Sequence, residues 1–220
     1  MPRLRAGNQR RTCNSYATFV RRDRDLVGRP LPLTFFRRRP ETVARELIGC
    51  VIVSTLRGVR TAGRIVEAEA YLGHRDPASH AYRNRRHAQN EGLYGPTGHW
   101  YVYLSYGVHW CANLVAGTRP NEGAVLLRAV EPLEGITAMR RRRGGVSDRL
   151  LAAGPGRLTQ AFGITRNLDR QPMRGAKVEV FIGESLGHPV ATPRIGITRA
   201  VEWPLRFVEA GTRWASRPAP

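Results

Sequence analysis

Apolar positions along the chain fall into short clusters, and their changing period sets the predicted elements. Residues 1–30 show no sustained apolar period and read as a basic, flexible arm. "RPLPLTFF" opens the folded part, and "ETVARELIG" spaces its apolar residues as a helix that closes on Gly49. "CVIVSTL", a turn at Gly58 and "RTAGRIVEAEAYL" predict a β-hairpin. Residues 73–98 are polar and carry Gly and Pro, which predicts a long loop of the kind that usually serves function. "HWYVYLSYGVHWCANLVA" predicts two strands joined by a tight turn at Ser105-Tyr106-Gly107, and "GAVLLRAV" a further strand. "EPLEGITAMRRRRGG" predicts a helix whose last turn is all arginine, favourable against the helix dipole, stopped by Gly144-Gly145. "GPGRLTQAFGI" predicts another helix, and "KVEVFIG", "RIGITR" and "LRFVEA" predict closing strands. No internal repeat is present. The pattern predicts an α+β single domain over residues 31–217, with a curved, largely antiparallel sheet, surrounding helices and a protruding aromatic hairpin.

One predicted strand is unusual. In "RIVEAEAYL", alternation puts Glu67, Glu69 and Tyr71 on one face and Val66, Ala68, Ala70 and Leu72 on the other. Glu and Ala are poor strand residues, so packing alone does not account for the segment. Same-face neighbours stand about 6.5 Å apart along a strand. The two carboxylates could act as an acid–base pair; alternatively one activates water while an arginine holds the other as a structural ion pair. The spacing does not choose between them.

The charge narrows the class of partner. The net charge is +19, and of 36 basic residues all but Lys177 are arginine. A bias of arginine over lysine could reflect genome composition, but that does not make 36 bases outnumber 17 acids. The excess favours a polyanion, because arginine neutralises phosphates and releases their counterions. No apolar run reaches membrane-spanning length, and the N-terminus has no signal-peptide pattern. Cys13, Cys50 and Cys111 give neither a disulfide framework nor paired metal spacing, and a reducing cytoplasm is the expected compartment.

Candidate chemistry gathers in three places. Trp100, Tyr101, Tyr103, Tyr106 and Trp110 crowd into eleven residues. Tyr101, Trp100 and Trp110 read as core. Tyr106, at the turn, is poorly placed for core and well placed to enter a base stack as a wedge. His80 and Asp76 could join the glutamates as metal ligands, but no ligand spacing supports a metal site. With a single lysine, water-activating chemistry is favoured over a Schiff base. The Gly-Pro-Gly turn of "GPGRLTQAFG" could cradle a phosphate or simply begin a helix.

Together these segments resemble the alkyladenine (3-methyladenine) DNA glycosylase family. The resemblance lies in "GRIVEAEAYLG", the histidine of "DPASHA", "YVYLSYGVHWCANLV", "GAVLLRAVEPLEGI", "GPGRLTQAFGI", "RIGI" and "EWPLRF", in family order across about residues 31–217. It implies a monofunctional glycosylase acting on double-stranded DNA with damaged purines, as a monomer without cofactor or metal. It implies Glu69 as the general base, Arg128 near the attacking water, and the backbone carbonyl of Ile195 as a further water contact. Tyr71, His80 and Tyr103 become walls of a base pocket, Asn113 the residue that rejects guanine, and Tyr106 the intercalating residue. Glu67 is then structural.

The chemistry is coherent with that assignment. A stacked base must be extruded at a cost of a few kcal/mol before its glycosidic bond can be reached. Cationic alkylpurines favour aromatic walls and leave readily, so the enzyme mainly has to place and activate water. Two departures stand out: Ala88-Gln89-Asn90 replaces the usual Pro-Arg-Asn, and Ser105 replaces an aliphatic neighbour of the wedge. The rival readings are a helix-hairpin-helix glycosylase using Asp169, a metal-dependent nuclease, and a non-catalytic basic protein that stacks bases on its aromatic hairpin.

Overall fold

The computed structural model describes residues 28–120, 122–184 and 189–219. The arm expected at residues 1–30 lies almost wholly outside them. In chain order the elements are α1 (Leu33–Phe36), α2 (Pro40–Glu46), β1 (Val51–Ser54), β2 (Thr61–Tyr71), β3 (Trp100–Ser105), β4 (His109–Ala116), β5 (Gly123–Glu134), α3 (Ile136–Arg142), α4 (Pro155–Phe162), β6 (Val178–Phe181), β7 (Val190–Thr192) and β8 (Arg206–Val208). Both α2 and α4 begin on a proline, whose missing N–H costs nothing in the first turn. Gly163 ends α4 in the left-handed conformation, φ 73°.

All pairings are antiparallel, in the order β3-β4-β5-β2-β1-β6, with β8 on β2 and β7 on β8. β2 is the axis. One edge pairs along β5, while the other is divided between β1 at Thr61–Arg64 and β8 at Glu67–Glu69. One sheet face packs against the helices. Ile65, Ala68, Ala70, Trp100, Val102, Leu114, Val125, Leu127 and Val130 meet Val43, Leu47, Met139, Leu158 and Phe162, all of them buried. Each large apolar side chain buried there contributes roughly 1.5–3 kcal/mol.

The opposite face carries the polar residues, and bulges decide which residues reach it. Ile65 faces the core, and so do Ala68 and Ala70, although strict alternation would separate them. The register explains this: Ile65 pairs Val130 and Glu67 pairs Ala129, leaving Val66 as an extra residue. The next step, Ala68 opposite Leu127, leaves Arg128 extra on β5. Such bulges re-aim side chains beside functional sites. Here they turn Glu67, Glu69 and Arg128 to the same face.

Two predicted boundaries move. The helix expected from Glu131 starts only after Gly135, because β5 continues through Glu134 in register with Ala62. "RIGITR" is not a strand; β7 precedes it, and residues 194–199 form irregular backbone. Residues 73–98 are irregular apart from three single-turn helices, as their composition predicts. In the arginine run of α3, Arg140 and Arg141 are exposed while Arg142 and Arg143 are half-buried and tied to backbone carbonyls. Arg140 pairs Asp148 at 2.8 Å, Arg142 donates to Ala161 O at 2.9 Å and Leu56 O at 3.3 Å, and Arg143 donates to Leu151 O at 3.1 Å. Among the described residues no helix is long and apolar enough to cross a membrane.

Where β2 runs into the long loop, backbone crosses backbone at glycine. A Cβ on Gly123 would lie 2.0 Å from Tyr71 O and 2.9 Å from Pro40 Cγ. Gly123→Ala is therefore expected to destabilise the fold by about 2–3 kcal/mol, lowering the denaturant midpoint; an unchanged midpoint would contradict this close approach.

Candidate active site

The register lines up one row across five strands: Tyr101 (β3), Asn113 (β4), Leu126 (β5), Glu69 (β2) and Arg206 (β8). With strands about 4.8 Å apart, Asn113 and Glu69 are separated by roughly 10 Å, with Leu126 between them. Around this row the polar face divides into a charged end and an aromatic end.

At the charged end, Glu67 and Glu69 are both fully buried, and Arg128 bridges them. Arg128 Nε donates to Glu67 Oε1 at 3.0 Å and Nη1 to Glu69 Oε2 at 3.2 Å. Glu67 also receives Arg206 Nε at 2.7 Å and both the N–H and hydroxyl of Ser216. Glu69 receives the Tyr71 hydroxyl at 2.9 Å and the Ile195 N–H at 2.7 Å. The two carboxylates thus differ in environment. Burial opposes ionisation of both, but Arg128, the Ser216 N–H and Arg206 prevail at Glu67, whose pKa is lowered. At Glu69 burial prevails over Arg128, the Ile195 N–H and the Tyr71 hydroxyl, and the pKa is raised. Tyr71 is pushed far above the ordinary phenol value by burial and by Glu69, so its hydroxyl keeps its proton.

At the aromatic end, Tyr101 and Tyr103 stack with centroids 5.3 Å apart, and His80 meets Tyr103 edge-on at 4.6 Å. The Tyr101 hydroxyl lies 2.7 Å from His80 Nδ1. His80 remains exposed as a residue, yet packing against the tyrosines desolvates its imidazole. Together with His87 this holds its pKa below the ordinary histidine value. Asn113 is buried and its amide donates to Tyr101 O at 3.0 Å.

Two buried polar residues fasten the loop that carries His80. Asn90 donates to His80 O and Arg85 O, both at 2.9 Å, and accepts the His87 N–H at 2.8 Å. Gln89 is exposed. Asp76, weighed above as a metal ligand, instead accepts the Leu72 and Ala78 N–H groups and pairs with Arg194, Nη2 to Oδ1 at 2.9 Å, both side chains fully buried. Arg194 in turn donates to Ala70 O and lies over the Tyr71 ring at 4.7 Å. Among the described residues no group of three or more His, Cys, Asp or Glu could hold a metal.

The turn between β3 and β4 is the most exposed apolar feature. Tyr106 is 91% exposed with φ 50°, flanked by exposed Leu104 and Val108. Asp169 is tied to the edge of β3, accepting the Val102 N–H at 2.9 Å. Glu69, Arg128, Tyr71 and Ile195 come together as one group, and His80, Tyr103 and Asn113 as another along the same row, while Tyr106 stands apart at the turn. The sequence reading missed Tyr101 as a partner of His80, because a strand aromatic reads as core. It also missed Arg206, which lies within "EWPLRF" but 139 residues from its partner Glu67, and Ser216, which carries no motif.

Comparison with known proteins agrees with this geometry. A family model described as methylpurine-DNA glycosylase matches residues 34–213. A protein of Methanoculleus marisnigri is 46% identical over 195 residues, covering 85% of this chain and 98% of its own length. One from Nitrobacter winogradskyi is 43% identical, covering 89% and 91%, and one from Carboxydothermus hydrogenoformans is 40% identical, covering 85% and 98%. Each of the three carries a name that makes it a candidate 3-methyladenine DNA glycosylase. Matched over most of its length by both the family model and these relatives, the chain belongs to the methylpurine-DNA glycosylase family.

Proposed function

We propose that the enzyme flips alkylated or deaminated purines out of duplex DNA and hydrolyses the glycosidic bond with a water activated by Glu69. The substrates are 3-methyladenine, 7-methylguanine, hypoxanthine and ethenoadenine, and the product is an abasic site. The observation that carries this reading is the unequal pair of buried carboxylates on one arginine. Glu67 takes four donors, from two guanidiniums and from the N–H and hydroxyl of Ser216, and its lowered pKa leaves it a weak base. Glu69 keeps a single donor, the Ile195 N–H, on Oε1, whose second lone pair is the acceptor for a water. Its raised pKa moves its basicity toward the working pH of a general base. Arg128 tempers the repulsion between the two carboxylates and steadies Glu69 in its ionised form.

The flipped base lies between Tyr71 on one side and His80 with Tyr103 on the other, with Asn113 at the floor to meet the base edge and reject a guanine 2-amino group. A neutral His80 can accept from, or donate to, a base edge according to its tautomer. Tyr106 enters the stack in place of the extruded nucleotide, and exposed arginines hold the phosphates on either side. The enzyme acts as a monomer in the cytoplasm.

Single-turnover base release from duplexes containing one hypoxanthine or ethenoadenine, in EDTA with alkali to reveal abasic sites, tests the chemistry. The parent is expected to cleave and Glu69→Gln to bind equally while losing at least about a hundredfold in rate. Binding without release by either protein would favour the base-stacking, non-catalytic alternative. The pH dependence follows from the sign of the shift. Glu69 acts ionised and its pKa is raised, so the rate should fall as pH drops through an acid limb lying above the ordinary glutamate value. A limb at about pH 4.3 or below would show that Glu69 is not the titrating base. Tyr106→Ala should leave the melting temperature unchanged, since the side chain is exposed. It should slow release from duplex by about tenfold and from single strands much less; equal losses on both would remove the wedge role.

A further inference from the structure

The chain of contacts that holds Glu69 extends beyond the sheet into residues 214–217. Ser216 donates its N–H to Glu67 Oε2 at 2.6 Å and its hydroxyl to Glu67 Oε1 at 2.7 Å. The same hydroxyl lies 3.5 Å from Arg128 Nη2, so one small side chain touches both the spectator carboxylate and the bridging arginine. The segment is itself fastened: Arg149 Nη2 donates to Ala215 O at 2.9 Å, and Arg206 Nη2 to Arg217 O at 2.6 Å. Ser216 falls outside the residues matched by the family model, 34–213.

We propose that Ser216 is a positioning residue for base excision, supplying two of the donors of Glu67 so that Arg128 stays engaged with Glu69. The proposal rests on the reading of Glu69 as the base. Arg128 is shared unevenly, at 3.0 Å to Glu67 and 3.2 Å to Glu69, so the bond to Glu69 is the more easily surrendered. A buried carboxylate left short of donors is costly. Without the Ser216 hydroxyl, Glu67 loses a donor and Arg128 Nη2 loses a contact at the same time. The guanidinium then turns toward Glu67 and away from Glu69. Glu69 is faced by Arg128 from β5, Glu67 and Tyr71 from β2, Cys111 from β4 and, opposite it in the register, Arg206 from β8. Of these, Arg128 is the group that bonds both carboxylates. With its cation withdrawn, Glu69 is ionised in a smaller fraction of molecules at any given acidic pH.

The test is single-turnover release of hypoxanthine by full-length parent, Ser216→Ala, Ser216→Thr and Glu69→Gln, from about pH 5 to about pH 9, with melting temperatures alongside. Ser216→Ala should be slowed about fivefold at the acid end, with its acid limb displaced to higher pH and the deficit closing as pH rises; Ser216→Thr should restore the parent profile. Melting temperatures taken at each pH separate a displaced limb from acid unfolding of the alanine variant: a limb that moves while the protein stays folded supports the role, and one that only tracks unfolding overturns it. A loss equal at every pH, or no loss, overturns the role of Ser216 while an inactive Glu69→Gln leaves the base intact. An active Glu69→Gln overturns both.

Discussion

Arg128 between two buried glutamates is the interaction on which the rest of the polar face depends. Removing an ion from water costs several kcal/mol even after relaxation, and two carboxylates side by side would repel as well. The fold meets this with two guanidiniums for two carboxylates, in the sequence Arg206, Glu67, Arg128, Glu69. The order matters more than the count. Glu67 lies between two cations and is driven to ionise, while Glu69, at the end, has one cation and two neutral donors and keeps a raised proton affinity. One arrangement thereby gives identical side chains opposite shifts in proton affinity.

The backbone is bent to suit that arrangement. A perfectly regular β2 with Ile65 in the core would send Glu67 and Glu69 inward as well. The bulge at Val66 lets both sets keep their proper sides, and the companion bulge on β5 brings Arg128 round to meet them. The aromatic end is built differently, by an irregular loop held through Asn90 and Asp76 to backbone groups and to Arg194. The sheet therefore carries the charged groups, and a side-chain-tethered loop carries His80. Gln89 takes no part in this tether, because the anchoring contacts belong to Asn90 and Gln89 is exposed.

Much of this was legible in sequence, for identifiable reasons. Period-two alternation located β2 and put Glu67, Glu69 and Tyr71 together, since the bulge lies just before them. The polar composition of residues 73–98 marked a loop, and Tyr106-Gly107 marked a turn. What failed was boundary and long-range content. Glu131-Pro132 looks like a helix start, but pairing with β2 carries the strand past it. "RIGITR" alternates like a strand, but its polypeptide is used to aim the Ile195 N–H at Glu69. Arg206 and Ser216 make contacts 139 and 149 residues away from Glu67, a separation at which no local pattern operates.

The inward-turned arginines bear on how the composition of this chain should be understood. Arg128 and Arg206 each use three nitrogens on separate acceptors, and Arg194 uses two on Asp76 and Ala70. A lysine ammonium is a compact point donor and cannot span such sets of acceptors in fixed planes. The arginines therefore fall into two groups. Those facing solvent contribute a charge that a lysine would also carry. Those inside answer to the shape of the guanidinium, and at those positions the residue is fixed by geometry whatever the base composition of the genome that encodes it.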